Sequence, residues 1–334
     1  MGRVPLRVKV LRGHVKYEGV TQRTLQRYRR QVLRFFDYLD TYNINWPRSP
    51  GEFDHVTGEY VNHLYQDMDP YGYAGDFLSG IRRFLPRWRC HTQAAGQYFR
   101  NWRRTLSFRQ ALPLPADVIQ GIAGVALADG RPRVAVAFLV GYVGLLRTTE
   151  LLKLSSSQLH FVRGDTSVVI SLPDSKGAKR QNNSEKVIVS DPSIVKALAH
   201  VVRSLEPADS LVGMSAKDLA DLLKKYGAFL GIYDERLTLY SLRRGGASWH
   251  FTTYQNLDAT RMLGRWQWER TARLYIDGAV AELVNAELTQ RGARRAAAGR
   301  NILTFYLTHF SLPTRPDVGE GWGRVSEIGS GVYV

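Results

Sequence analysis

The run Val-Ala-Val-Ala-Phe-Leu-Val-Gly-Tyr-Val-Gly-Leu-Leu at 134–146 constrains the fold more than any other part of the chain. A helix that is apolar all the way round cannot lie on a surface; other elements must enclose it. The spacing predicts a helix over 133–147 and makes it the buried spine of a domain. Directly after it the period of the sequence changes. Residues 158–162, 167–172 and 186–189 read as short strands, with a turn at Gly164 and Asp165. Helical patterns then resume at about 191–204, 215–230, 240–251, 257–265 and 269–287. The expected fold class is mainly α with a small antiparallel β-sheet, an α+β arrangement.

The chain ahead of the spine has another character. Between residues 21 and 42 the apolar positions Leu25, Tyr28, Val32, Phe35, Phe36 and Leu39 recur at helical spacing. Arginines occupy much of the rest. Further helices are expected at about 57–68, 71–85 and 94–106, with Pro47 and Pro50 in a loop before them. Residues 1–110 hold 19 Lys+Arg against 9 Asp+Glu, a balance of +10 out of +16 for the whole chain. An excess of that size favours a polyanionic partner, and nucleic acid comes first. Arg23, Arg27, Arg30, Arg34, Arg82 and Arg83 are the candidate phosphate contacts. The expected organisation is a basic arm at 1–20, a helical domain at 21–106 and a proline-containing linker at 107–116. A second domain at 117–300 and a Gly/Pro-rich tail at 301–334 follow.

Several classes are excluded. A single cysteine, Cys90, can build neither a disulfide framework nor a Cys/His zinc site, so no metal site is expected. The first residues lack the apolar run of a signal peptide, and no stretch of about 18 apolar residues exists. The expectation is an intracellular, soluble protein with no membrane partner. Its place would be the nucleus in a eukaryote and the cytoplasm or nucleoid in a bacterium.

Four short pieces carry the chemistry. They are Arg147 in GLLRTTELL, Lys176 in LPDSKGAK, Arg243 in LYSLRRGGAS and Tyr275 in GRWQWERTARLYI. Arginine presents a rigid fork of donors that matches two phosphate oxygens. A lysine can protonate a leaving oxygen, and a tyrosine hydroxyl can attack phosphorus and hold it covalently. Together they suffice to cut a phosphodiester with no metal and no cofactor. Their order, contexts and spacings resemble the tyrosine recombinase (phage integrase) superfamily over roughly residues 20–285. The run TARLYI resembles in particular the recombinases of DIRS-type and crypton-type eukaryotic transposons.

The resemblance implies a SAM-like, DNA-gripping helical domain followed by a catalytic domain. It makes Tyr275 the nucleophile and Arg147 and Arg243 the phosphate clamps. Lys176, at the tip of a hairpin, would be the proton donor, with Lys179 as the alternative. Glu150 would be the partner of Arg147 inside the protein. The family pattern places His-x-x-Arg where this chain has Tyr240 before Arg243. A phenol donates a hydrogen bond well but is a poor base near neutrality, with a reference pKa near 10. The next family position takes His or Trp nine residues before the nucleophile, which is Trp266 here. Arg265 and Arg244 are further candidates for phosphate or catalytic contacts. The implied activity is strand cleavage and rejoining of double-stranded DNA by four protomers. Two alternatives stay open: a DNA-binding protein descended from a recombinase, with impaired catalysis, and a monomeric type IB topoisomerase.

Overall fold

The structure is a computed structural model and describes residues 19–106, 110–162, 165–173 and 185–311. The chain divides into two compact units, Met1–Phe108 and Arg109–Val334.

The first unit is a helical bundle of α1 (Gln22–Thr41), α2 (Pro50–Gln66), α3 (Gly72–Phe84) and α4 (Gln93–Thr105). Its core is aromatic. The fully buried Phe35 ring lies 5.1 Å from Phe77 and 5.2 Å from Tyr60, centroid to centroid. Helix α1 packs on α3, and α2 on α4. Helix α2 begins several residues before the expected 57. The Ser49 hydroxyl accepts from the Glu52 amide, and Pro50 occupies the first turn. A proline that reads as a loop residue is here a helix starter, because its missing N–H costs nothing in a first turn.

The second unit is built on the expected spine. Helix α5 (Ala116–Ala128) leads to α6 (Pro132–Val143), in which every residue from Val134 to Tyr142 is buried. Next come the short helix α7 (Thr148–Lys153) and strands β1 (Leu159–Phe161), β2 (Val168–Leu172) and β3 (Glu185–Val189). The three strands form one antiparallel sheet in the order β1-β2-β3, with Leu159 opposite Ile170 and Ile170 opposite Val187. The remaining helices are α8 (Pro192–Val202), α9 (Ala216–Phe229), α10 (Tyr240–Tyr254), α11 (Leu257–Leu263), α12 (Glu269–Arg273), α13 (Gly278–Glu287) and α14 (Gln290–His309). Helix α6 is enclosed by α5, α8 and α10. The architecture is mainly helical with a small antiparallel sheet, as the sequence predicts.

The structure corrects four details. Helix α6 stops at Val143, with Gly144 as its C-cap and Leu145 in the left-handed region at φ 46°. Arg147 therefore does not end the spine helix; it is the N-cap of α7. The expected helix over 269–287 is two helices with residues 274–277 between them. Asp277 restarts the helix by accepting from the Val280 amide. Helix α14 is absent from the sequence reading, and it runs past residue 301, where the tail was expected to begin. It lies backbone to backbone on α5: a Cβ on Gly124 would overlap the Gly299 carbonyl, and one on Gly299 the Gly121 carbonyl. Its buried face is therefore rich in Gly and Ala, which hides it from a hydrophobic-periodicity search. Lastly, Cys90, which the sequence suggests is a half-buried packing residue, is exposed.

Candidate active site

Helix α10 is pressed inward by its own sequence. A Cβ on Gly245 would overlap the Leu114 carbonyl, and one on Gly246 the Tyr142 carbonyl. The Gly-Gly pair thus brings α10 against α6 and carries the preceding arginines into the interior. Arg243 is only 2% exposed. Its guanidinium donates to the Leu145 carbonyl and, at 2.5 Å, to the Gly264 carbonyl. The left-handed turn at Leu145 presents that carbonyl, since it also accepts from Arg265 at 3.2 Å. The Arg243 guanidinium carbon lies 4.6 Å from the Trp266 ring centroid and 5.6 Å from that of Tyr275. Burial and the neighbouring Arg265 and Arg147 cations lower its pKa to about 10, so it remains a cation at neutral pH.

Arg147 and Arg265 share one buried carboxylate. Glu150 accepts from the Arg147 guanidinium at 2.5 Å, from the Arg147 amide at 2.8 Å and from Arg265 at 2.6 Å. Burial pushes the Glu150 carboxyl up, but the two guanidinium groups outweigh it and hold the group below the usual carboxylate range. Glu185, the first residue of β3, reaches both arginines as well, at 3.3 Å from Arg147 and 3.4 Å from Arg265. The Arg265 guanidinium is 7% exposed and Arg147 26%, so Arg147 is the member of the pair that faces outward. Arg265 has φ 56°, a conformation that costs a non-glycine residue about 1–2 kcal/mol. Its four hydrogen bonds, including those to the Gly144 and Leu263 carbonyls, hold it there.

Tyr275 follows α12 in the turn, not on a helix. Its carbonyl accepts from the Ser248 hydroxyl at 3.3 Å, and the same Ser248 oxygen accepts from the Asp277 amide at 2.8 Å. Those bonds fix both ends of the turn to α10. The Tyr275 ring lies 4.5 Å from the Trp266 ring, and Trp266 lies so close over Gly264 that no side chain would fit there. The Tyr275 hydroxyl is hydrogen-bonded to the hydroxyl of Tyr240, in the first turn of α10. Burial, then the contact with Tyr275, raises the Tyr240 phenol well above its ordinary range.

The remaining candidates separate. Arg244 is neither a surface charge nor exposed for phosphate; it is 7% exposed and bound to the Ala111 carbonyl and to Asp277, each at 3.0 Å. Lys176 and Lys179 lie outside the described residues. In the first unit Arg23, Arg30 and Arg82 are exposed and Arg83 is half-buried. Arg27 makes a bidentate pair with Asp76 at 2.8 Å, and Arg34 pairs with Asp69 at 2.9 Å. Those two tie α1 to α3 and to the turn ahead of it. Among the described residues no group of His, Cys, Asp and Glu is arranged to hold a metal ion, and no helix is long and apolar enough to cross a membrane. Sequence reasoning missed Glu185 and the bridging role of Arg265. The only local signal for Arg265 is its place directly after the glycine of Leu-Gly-Arg-Trp.

No family model matches the sequence, and no curated protein matches it. Solved structures do match the fold. The Tn1549 transposon integrase in complex with circular intermediate DNA aligns with a TM-score of 0.55 at 14% identity, over 79% of this chain and 99% of that one. The same integrase with transposon right end DNA gives 0.53 at 15% identity, over 80% and 95%. A lambda integrase dimer bound to a COC′ core site gives 0.51 at 14% identity, over 78% and 73%. The likeness is one of fold: a mostly helical chain carrying the small antiparallel sheet of the tyrosine recombinase catalytic domain.

Proposed function

We propose that this chain cleaves and rejoins double-stranded DNA through a 3′-phosphotyrosyl intermediate. One observation carries the reading. Arg147, Arg243, Trp266 and Tyr275 come from separate stretches of the chain and are brought together: Arg243 lies over the Trp266 and Tyr275 rings and donates to the Leu145 carbonyl, and Arg265 links that carbonyl to the Glu150 carboxylate held by Arg147. Tyr275 attacks a DNA phosphate, its oxygen bonds to phosphorus, and the 5′ oxygen leaves with a proton from a lysine of the 174–184 segment. Arg147 and Arg243 stabilise the extra charge of the pentacoordinate state. One preorganised donor of that kind is worth roughly 3–4 kcal/mol. Attack by another 5′ hydroxyl then rejoins the strands without ATP or metal. The fold matches to integrases bound to DNA support the same class of substrate, and by analogy an assembly of several protomers on DNA. Kinship with DIRS-type and crypton-type recombinases rests on the TARLYI run alone.

A second reading, DNA binding without cleavage, is favoured by Tyr240 in the histidine position and by the burial of Arg243. A nicked duplex library with a randomised core separates the two, because loss of the short 5′ fragment traps any covalent adduct. The parent chain should give denaturant-resistant protein–DNA adducts. Tyr275→Phe should give none while retaining DNA affinity within about twofold. An adduct of undiminished yield from Tyr275→Phe, or none from the parent, would rule the proposal out.

A further inference from the structure

We infer that Tyr240 acts on the nucleophile rather than on the phosphate: it is the hydrogen-bond donor that stabilises Tyr275 as a phenolate, with no general base against the Tyr275 hydroxyl among the described residues. The inference deepens the phosphotyrosyl reading and rests on it. Three observations carry it. The two phenol oxygens are in direct contact, with ring centroids 5.6 Å apart. Tyr240 stands in the first turn of the long helix α10, so its backbone is fixed while Tyr275 sits in a turn. Among the described residues no histidine or carboxylate is hydrogen-bonded to the Tyr275 hydroxyl.

A neutral phenol cannot take the proton of another phenol at ordinary pH, since that would make an oxonium ion. Once Tyr275 has lost its proton, however, the shared bond has one possible direction. Tyr240 O–H donates to Tyr275 O⁻, a charge-assisted bond of the stronger kind. Cations stand near the pair. Arg243 projects from the same helix, and Arg147 acts on Tyr240 from the start of α7. Behind Arg147 stand Glu150, Arg265 and Glu185, and Arg244 is neutralised by Asp277 next to the turn. The step balances without a protein base. The Tyr275 proton goes to water or hydroxide, the phenolate oxygen bonds to phosphorus, and the P–O5′ bond breaks. Tyr240 keeps its own proton throughout.

Such a site has a pH signature that a structural tyrosine would not give. The experiment uses the full chain and a duplex recovered from the adducts of the nicked library, with single-turnover adduct formation followed from about pH 6 to about pH 9. The parent rate should climb steadily across that range. Tyr240→Phe keeps the ring and loses only the donor. Its rate should lie about tenfold or more below the parent along a parallel line, with DNA affinity unchanged. Tyr240→His installs a base of ordinary pKa near 6.5, so its profile should level off above about pH 7. Thermal unfolding of both variants checks that the fold is retained. A Tyr240→Phe rate equal to the parent, or a parent profile already flat above neutrality, overturns the donor assignment and leaves the recombinase reading standing. Failure of the parent to form any adduct overturns both.

Discussion

Glu150 is nearly sealed from water, and two guanidinium groups depend on it. Removing one partner from a buried ion pair typically costs about 3–5 kcal/mol, because the remaining charge is left uncompensated. Glu150→Gln keeps the shape and removes the charge, so it should unfold at a clearly lower urea concentration at neutral pH. The pH dependence follows from the carboxyl being held below its reference value of 4.5 in the folded state. In the acid range the unfolded chain then binds more protons than the folded one. The stabilisation is present in full above that reference value and is lost as the pH falls through the lower folded value. Urea midpoints of the parent and of Glu150→Gln should therefore differ most near neutrality and draw together under acid. A constant gap at every pH would show that the carboxylate charge is not what the arginines need. The same residue sets the geometry of Arg147, the more exposed of the two arginines.

At the scale of elements, the turns between helices decide where the site lies. Met68 and Leu145 both follow a helix end and both have positive φ, at 56° and 46°. The left-handed conformation costs each about 1–2 kcal/mol relative to glycine. Met68 is 89% exposed, so Met68→Gly removes strain and little packing. It should stabilise the chain by about 1 kcal/mol, read as a higher urea midpoint. Leu145 is fully buried, and cutting back a buried leucine costs about 2–5 kcal/mol. Leu145→Gly should therefore destabilise, although the backbone argument is the same. The comparison also shows why the strain at Leu145 persists: the buried side chain and two arginine hydrogen bonds to its carbonyl outweigh it. Helix α13 turns Ala281 and Val284 into its own unit and leaves Leu283 55% exposed.

For the whole molecule the net charge of +16 sets the expectation for DNA. Phosphate contacts release counterions, so affinity should fall steeply with added salt, with a log–log slope of about −5 or steeper. Arg30→Ala should make that slope shallower by about one, whereas Arg27→Ala, which breaks the pair with Asp76, should act more on stability. Filter binding over a salt series checks both, and a salt-independent affinity would remove the electrostatic argument. Much of this architecture is legible without coordinates. The apolar run at 134–146 specifies a buried helix, and the short apolar runs in 158–162, 167–172 and 186–189 specify strands, because both are patterns of neighbouring residues. The candidates Arg147, Arg243 and Tyr275 stand out because their flanking residues form local motifs. Other features leave no such pattern. Glu150 is 115 positions from Arg265, and Tyr240 is 35 from Tyr275. The break that lifts Tyr275 off a helix depends on Ser248, which holds residues 275 and 277 from another element. Helix α14 escapes because glycine against glycine buries backbone rather than apolar side chains. Sequence alone determined the buried helix, the short strands and which residue types could perform the chemistry. Tertiary structure alone decided which charges neutralise one another, which arginine faces outward and which hydroxyl meets that of Tyr275, since burial and ion pairing are properties of atoms brought together across the chain.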